Sequence, residues 1–205
     1  MQYSCYPVGE MQANCWLVWD DTRSAVLIDP GDEAPWLLKV LNERKLTLKA
    51  IFLTHAHFDH MMAVPALQAA THAPLYVHEA DVPALVDGNL SLTNWVGRPC
   101  LLTANRRLLE GETIAIGNLQ FTVLHTPGHT VGSCCYLSEN ALFSGDTLFA
   151  GTVGRTDFPG GNPAVQRESL RRLATLPDDT KVLPGHNEPT TIGRERIVNP
   201  YMIGL

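Results

Sequence analysis

Several side chains able to bind a metal interrupt the sequence AIFLTHAHFDHMMAVPAL, residues 50–67. His55, His57, Asp59 and His60 follow an apolar run, although the whole chain has only eight histidines. In an extended segment alternate side chains share one face, so the first three of these donors can converge from a single stretch. A bend into a helix would let Asp59 and His60 serve a second centre. Imidazole and carboxylate suit zinc, iron or manganese, so the segment predicts a metal site after a buried strand.

Three further donors follow other apolar runs along the chain. His129 comes after the run FTVLH and a Pro-Gly turn, Asp146 comes after ALF in the motif SGDT, and His186 comes after KVL in the motif PGHN. A rigid scaffold presents loop residues of this kind at one edge. We therefore expect these donors to join the histidine cluster.

Short apolar runs separated by Gly, Pro and Asn predict the elements that must position these donors. Strands are expected over residues 15–19, 24–29, 50–54, 74–78, 113–125 (two strands around Gly117-Asn118), 134–138, 141–145 and 181–184. A helix is predicted from about Pro35, with Trp36, Leu37, Val40 and Leu41 as its buried stripe. Others are predicted over 65–70, from Asn162-Pro163 with Val165, Leu170, Leu173 and Leu176 buried, and from Ile192. Strands outnumber helices and mostly form hairpins, which favours two sheets with helices on their outer faces. Residues 79–112 are expected to form a long, partly helical loop.

Composition restricts the class of protein. The chain has 205 residues, of which 45% are hydrophobic and 18% charged, as expected for one soluble globular domain. The net charge of −6 without a basic cluster disfavours binding to nucleic acid. The first residues lack the pattern of a signal peptide, and no apolar stretch approaches the ~20 residues that span a bilayer. The five irregularly spaced cysteines predict reduced, mostly buried thiols and a cytoplasmic location.

The motifs T-H-x-H-x-D-H, P-G-H-T, S-G-D-T and P-G-H, in this order, resemble those of the metallo-β-lactamase superfamily. The stretches G-R-T-D-F-P-G-G at 154–161 and G-R-E-R-I-V-N-P at 193–200 are similar to the small type II glyoxalase-like (hydroxyacylglutathione hydrolase-like) hydrolases, and D-P-G at 29–31 is similar to an early strand-end Asp of the superfamily. The resemblance implies a single-domain, four-layer αββα sandwich over residues 1–205. By motif position it implies His55, His57 and His129 for a first metal, Asp59, His60 and His186 for a second, and Asp146 as the bridge.

A pair of divalent metal ions, zinc first and iron or manganese as alternatives, would activate a bridging water as hydroxide for attack on a carbonyl. A thiolate, with a parent pKa of ~8.5, leaves with little help from a general acid. The resemblance accordingly implies hydrolysis of thioesters such as S-lactoylglutathione. Asp59 is expected to be a ligand, with a proton-shuttle role as the alternative.

Residues near these motifs are candidates for substrate binding. Arg155 is expected either to face a substrate carboxylate or to pair with Asp157. Four apolar side chains are expected either to line a pocket or to pack in the core: Met61, Met62, Phe149 and Phe158. His125 is expected to support the site or, on the simpler interpretation, to lie outside it. The larger type II glyoxalases carry an extra helical domain that supplies basic residues to glutathione, and these 205 residues leave no room for it.

Other activities of the fold remain open from the sequence. The main alternative is a mononuclear iron persulfide dioxygenase that uses His55, His129 and Asp146 and leaves the second set of donors unmetallated. The P-G-G continuation and the 193–200 tail favour the hydrolase. A non-catalytic metal-binding protein is a weaker alternative, and the acidic charge disfavours an RNA-processing nuclease. The metallo-β-lactamases proper are disfavoured because several of them have Cys where this chain has Asp146.

Overall fold

Two six-stranded sheets form the centre of the computed structural model, which describes residues 1–205. The first sheet contains, in spatial order, β1 (Gln2–Val8), β2 (Ala13–Trp19), β3 (Ser24–Ile28), β4 (Thr47–Phe52), β5 (Leu75–His78) and β6 (Arg106–Leu108). Strands β1 to β3 are antiparallel, and β3 to β6 are parallel. The second sheet contains β7 (Thr113–Ile116), β8 (Leu119–His125), β9 (Cys134–Ser138), β10 (Ala141–Gly145), β11 (Lys181–Pro184) and β12 (Thr190–Thr191). Only β10 and β11 pair in parallel there.

Helices cover the outer faces of both sheets. They are α1 (Ala34–Glu43), α2 (Phe58–Met61), α3 (Val64–Thr71), a 3₁₀ helix (Glu79–Leu85), α4 (Pro163–Leu173) and α5 (Ile192–Val198). Buried residues of α1 and α3 pack in one core with the first sheet, and those of α4 and α5 pack in another with the second. The predicted αββα sandwich is therefore confirmed. None of the helices has the length and apolar character needed to cross a bilayer.

The alternation of side chains along β3 shows why its sequence is apolar throughout. Val26 and Ile28 lie in the core between the two sheets, whereas Ala25 and Leu27 lie in the core beneath α1 and α3. A strand that is buried on both faces reads as a continuous apolar run. The same alternation separates Cys134 from Cys135, and all five cysteines are free thiols.

Two residues of the predicted helical stripes are more exposed than expected. Trp36 is 40% exposed, with its ring edge-on to Tyr6 at a centroid distance of 4.8 Å. Val165 is 38% exposed in the first turn of α4, although Asn162 caps this helix as predicted by accepting bonds from the amides of residues 164 and 165. The other predicted stripe residues lie inside, with Leu176 half-buried beyond the end of α4.

Helix α4 buries polar side chains because it faces loops as well as strands. Gln166 Nε2 donates to the Gly154 carbonyl at 3.0 Å, and Ser169 Oγ donates to the Pro127 carbonyl at 2.7 Å. Both loops lead to predicted metal ligands or substrate contacts, so α4 supports the edge where the site lies. The spacing of apolar residues in α4 could not predict this face, because the side chains buried there are polar.

Strands β1, β6 and β12 are not predicted by the sequence. β6 has three residues, two of them exposed arginines, and it lies with the 3₁₀ helix inside the 79–112 segment. The expectation of a partly helical loop there is thus correct for residues 79–85 and incomplete for residues 106–108.

Candidate metal centre

All seven predicted ligands lie at one edge of the sandwich. This edge is formed by the carboxyl ends of β4, β8, β10 and β11, which are followed by the loops that carry them: His55, His57, Asp59, His60, His129, Asp146 and His186. The chain bends into α2 after His57, so Asp59 and His60 leave the extended segment, which is the condition for their serving a second centre. Six of the ligands lie in two triads, which are the two sets that the resemblance implies.

The first triad consists of His55, His57 and His129, whose donor atoms lie within 4.8 Å of one another. His57 Nδ1 is 2.9 Å from His129 Nε2, and all three residues are buried. The two loops that meet here come from different sheets, because His55 and His57 follow β4 whereas His129 follows β8.

Neighbouring oxygens fix the orientation of two of these imidazoles. Thr54 Oγ1 donates to Asp29 Oδ2 at 2.6 Å, so it accepts the bond that His55 Nδ1 makes at 3.1 Å. His129 Nδ1 donates to the Arg155 carbonyl at 2.6 Å. Each bond places the ring proton on Nδ1 and leaves the lone pair on Nε2, the tautomer that binds a metal through Nε2.

The second triad consists of Asp59, His60 and His186. Asp59 Oδ2 lies 3.3 Å from His186 Nε2 and 3.6 Å from His60 Nε2. Asp146 lies between the two triads: its Oδ2 is 3.6 Å from His129 Nε2 and 3.7 Å from His186 Nε2. A single carboxylate thus faces both sets of donors, as expected of a bridging ligand.

Buried polar atoms without partners test whether these residues fit a metal. His55 Nε2, His57 Nε2, both ring nitrogens of His60 and Asp146 Oδ1 make no regular hydrogen bond. Buried polar groups are normally paired, and five exceptions in one cluster are unusual. Imidazole and carboxylate donors converging in two triads fit two divalent cations, and they match the oxygen and nitrogen preferences of zinc, iron and manganese.

The charges of the site also favour cations. Burial lowers the pKa of His55 and His57 well below the ordinary value, which keeps both imidazoles neutral. Burial has the same tendency at His60, but the carboxylates of Asp59, Asp146 and Asp29 prevail and raise its pKa to about 10. Burial opposes ionisation of Asp59, yet its pKa is held well below the usual range by His60 and His186. The second triad therefore stabilises positive charge.

Comparison with known proteins agrees with this geometry. The sequence profile of the metallo-β-lactamase superfamily matches residues 8–186. The chain belongs to this superfamily. Its members are metal-dependent hydrolases that bind divalent metals, and the two triads fit a metal site of this kind.

Individual relatives of this superfamily match nearly the whole chain. Hydroxyacylglutathione hydrolase GloC of Haemophilus influenzae is 35% identical over 208 residues, with 98% of each chain covered. The probable metallo-hydrolase YqgX of Bacillus subtilis is 37% identical over 211 residues, with 100% and 99% covered.

Solved structures of the superfamily superpose closely. The B3 metallo-beta-lactamase BLEG-1 gives a TM-score of 0.95 at 38% identity, with 99% of this chain and 100% of the other covered. TTHA1623 in a di-iron-bound form gives 0.88 at 41% identity, with 97% and 99% covered. ETHE1 from Myxococcus xanthus gives 0.84 at 35% identity, with 98% and 84% covered.

A cavity of about 280 Å³ opens onto the candidate metal centre. Phe149 and Phe158, both candidates from the sequence, are among its lining residues, with Met11, Phe58 and Leu92 as further apolar side chains. Met61 is fully buried in the core under α1 and α3, so of its two expected places the one in the core is correct. Met62 lines a neighbouring cavity of about 230 Å³ that shares Phe58 with the first.

Arg155 lies at the rim of the larger cavity and makes the internal pair that the sequence offered as an alternative. Its Nε and Nη2 donate to the two carboxylate oxygens of Asp157, each at 2.6 Å. Its guanidinium carbon lies 3.8 Å from the centre of the Phe158 ring. The pair and the stacking hold the loop in place and leave Nη1 without a partner in the chain.

Other residues of the edge were not predicted. Trp95, from the unassigned 79–112 segment, lies edge-on to Phe158 at 5.5 Å, and Phe158 in turn lies 5.7 Å from His57. Asp81, which follows β5 at the same edge, bonds to both loops of the first triad. In the sequence, the only indication of its role was its position just after a buried strand, and many other carboxylates also follow strands.

The remaining histidines stay outside the centre, as the simpler interpretation of the sequence expects. His125 stacks on His78 with ring centres 3.9 Å apart, and its Nε2 lies 3.0 Å from the Val131 carbonyl. His72 ends α3 away from the ligand loops.

Proposed function

We propose that this protein hydrolyses thioesters, with S-lactoylglutathione as the representative substrate, at a pair of divalent metal ions. The observation that carries the proposal is the joining of two complete donor triads by Asp146, whose Oδ2 lies within 3.7 Å of His129 and His186. The full-length similarity to a hydroxyacylglutathione hydrolase supports the choice of substrate class. Zinc is the proposed metal, with iron or manganese as alternatives.

Two divalent cations in this donor set would polarise the thioester carbonyl and lower the pKa of a water towards neutrality. The chain's own residues prepare the site for this chemistry. Burial keeps His55 and His57 neutral, so both offer lone pairs without first losing a proton. Asp146 places negative charge between the triads, where the repulsion between two cations would otherwise be greatest.

The lining of the cavity favours a leaving group that needs no acid. Its only titratable side chains are Arg155, Asp146 and members of the two triads, and no Lys, Tyr or Glu lines it. A departing amine must be protonated, whereas a thiolate with a pKa of ~8.5 leaves as the anion at neutral pH. Asp59 is proposed as a ligand, with a proton-shuttle role as its alternative.

The rim of the cavity offers contacts for the rest of the substrate. Nη1 of Arg155 is proposed to donate to a substrate carboxylate, since Asp157 occupies the other two donors. The rings of Phe149 and Phe158 are proposed to exclude water from the scissile bond. The partner is thus a small molecule with a thioester and an acidic group rather than a nucleic acid. The free thiols support a cytoplasmic location.

One preparation tests the proposal against its alternatives. Metals per chain are counted by elemental analysis, and the same protein is assayed with S-lactoylglutathione, with glutathione persulfide under oxygen-uptake conditions, and with a chromogenic β-lactam. Two metals per chain with release of glutathione support the proposal. One iron per chain with oxygen uptake would overturn it in favour of the persulfide dioxygenase.

Hydrolysis of β-lactams is the second candidate activity of this site. It is suggested by the similarity to BLEG-1, a B3 metallo-beta-lactamase, which is 38% identical and superposes with a TM-score of 0.95. We expect kcat/KM for the thioester to exceed that for the β-lactam, because the cavity contains no dedicated acid for an amine leaving group. The reverse order would overturn the thioester assignment and leave the metal centre intact.

A further inference from the structure

Asp81 is a buried carboxylate that the metal centre does not use as a ligand. It lies in the 3₁₀ helix after β5 and is 1% exposed. Its Oδ2 accepts hydrogen bonds from the Ala56 amide at 3.0 Å and from Thr130 Oγ1 at 2.9 Å, and its Oδ1 accepts one from the Gly132 amide at 2.7 Å. No Lys or Arg forms an ion pair with it, so neutral donors alone hold the buried charge.

These three bonds reach both loops of the first triad. Ala56 lies between His55 and His57, whereas Thr130 and Gly132 follow His129. One carboxylate therefore ties together two loops that come from different sheets and that have to meet at a single metal. It makes no hydrogen bond to Asp59, His60 or His186, the residues of the second triad.

The surroundings of Asp81 are built around this carboxylate. Thr130 Oγ1 gives its proton to Asp81, so Ser133 Oγ donates to Thr130 Oγ1 at 2.8 Å and accepts from the Thr130 amide at 3.0 Å. A Cβ on Gly132 would lie 2.4 Å from the Asp81 nitrogen and 2.6 Å from Oδ1. Only a glycine allows the backbone to approach the carboxylate this closely.

Burying a carboxylate without a nearby cation lowers the stability of the folded state unless hydrogen bonds compensate for the lost hydration. Burial raises the pKa of Asp81 above its ordinary value, although the bonds from Thr130, Ala56 and Gly132 oppose the rise. We propose that Asp81 is a positioning residue that holds the His55–His57 loop and the His129 loop at a fixed separation, and so sets the affinity of the first metal site independently of the second. The inference rests on the assignment of the two triads and not on the identity of the substrate.

Binding of Co²⁺, followed by its visible absorption in competition with a chelator, tests this without any enzyme assay. The His186→Ala background isolates the first site, and the His129→Ala background isolates the second. Adding Asp81→Asn should weaken Co²⁺ binding about tenfold or more in the first background, by analogy with other residues that orient ligands from outside the coordination shell. In the second background the affinity should stay within about twofold.

Asp20→Asn is the matched control. Asp20 is also buried and accepts bonds from Thr22, Ser24 and the Asn118 amide, but it lies between β2 and β3, at the opposite end of β3 from the metal edge. It should lower the thermal midpoint of the metal-free protein without changing Co²⁺ affinity. Equal weakening of both sites by Asp81→Asn, or weakening by Asp20→Asn of the same size, would overturn the proposal.

Thr130→Val provides a second measurement should Asp81→Asn fail to fold. It removes one of the three donors to Asp81 and leaves both backbone amides in place. We expect a smaller, selective loss of affinity at the first site. An unchanged Co²⁺ affinity in Thr130→Val would count against the role of Asp81, whatever the S-lactoylglutathione assay shows.

Discussion

Asp29 Oδ2 lies 3.1 Å from Nδ1 of His60. The other ring nitrogen of His60 lies 3.5 Å from Asp146 Oδ1, so the imidazole is held between a supporting carboxylate and the metal-facing one. The same Asp29 accepts the Thr54 amide at 2.7 Å and the Thr54 hydroxyl, which orients His55. Asp29 thus supports one ligand in each triad.

Asp29→Asn is therefore expected to weaken both metal sites, in contrast to Asp81→Asn. Position 29 has φ of 54°, a conformation that Asn tolerates, so the backbone should be preserved. We expect a loss of about tenfold or more in affinity at each site. Metal content after dialysis against graded chelator measures this, and full retention of both metals would contradict the support role.

His129→Ala should remove metal from the first site and abolish hydrolysis. The substitution takes away a ligand and breaks the bond to the Arg155 carbonyl.

Asp146→Asn should keep the fold, since the residue lines the cavity, but it should no longer bind two metal ions at once. Elemental analysis and circular dichroism check both variants, and wild-type turnover by either one would show that the ligand assignment is wrong.

Metal removal should lower the thermal stability. Metal ions bound at 100 times their dissociation constant stabilise the folded state by about 2.7 kcal/mol, because the unfolded chain offers no preformed site. For a protein of this length that corresponds to a fall in Tm of roughly 5–10 °C on adding chelator. Calorimetry with and without chelator, followed by re-addition of zinc, provides the measurement; an unchanged Tm would argue against preformed triads.

Acid should destabilise the metal-free protein partly through His78. Burial and the stacked His125 lower the pKa of His78 to about 4, outweighing the opposite effect of Glu110. Between the ordinary value of 6.5 and about 4, the unfolded state binds a proton that the folded state does not, so stability is lost as the pH falls through this range. His78→Phe, which keeps a ring against His125, should lose less stability. Urea unfolding in chelator at pH 7 and pH 4.5 compares the two proteins, and parallel losses would refute the assignment.

Trp95→Ala should raise KM for the thioester more than it lowers kcat. The ring is 64% exposed and lies edge-on to Phe158, which lines the cavity. Trp36→Ala is the matched control, because this second exposed tryptophan packs on Tyr6, which does not line the cavity. Equal KM values in the two variants would exclude a substrate contact for Trp95.

The predicted elements show where local sequence is sufficient. Strands such as β3 and β10 are continuous apolar runs between turn residues, and both were placed within a residue or so of their ends. The Asn162 cap of α4 was also correct, because capping depends on neighbouring atoms alone. Trp36 and Val165 were misplaced, since their exposure depends on what packs against the helix and not on its own periodicity.

The sequence by itself determined the identity of the seven donors and their places after apolar strands, because donor chemistry and strand patterning are local properties. Only the tertiary structure brought each triad together from loops of different sheets, in the division that the resemblance of the motifs implies. It also decided that Arg155 pairs with Asp157, and that Asp81 joins loops from two sheets. The triads and the bonds of Asp81 link residues that lie close together only through the packing of whole sheets, and no short stretch of sequence carries information about such distances. Arg155 and Asp157 are only two positions apart, and there the structure decided between two expected roles of the arginine.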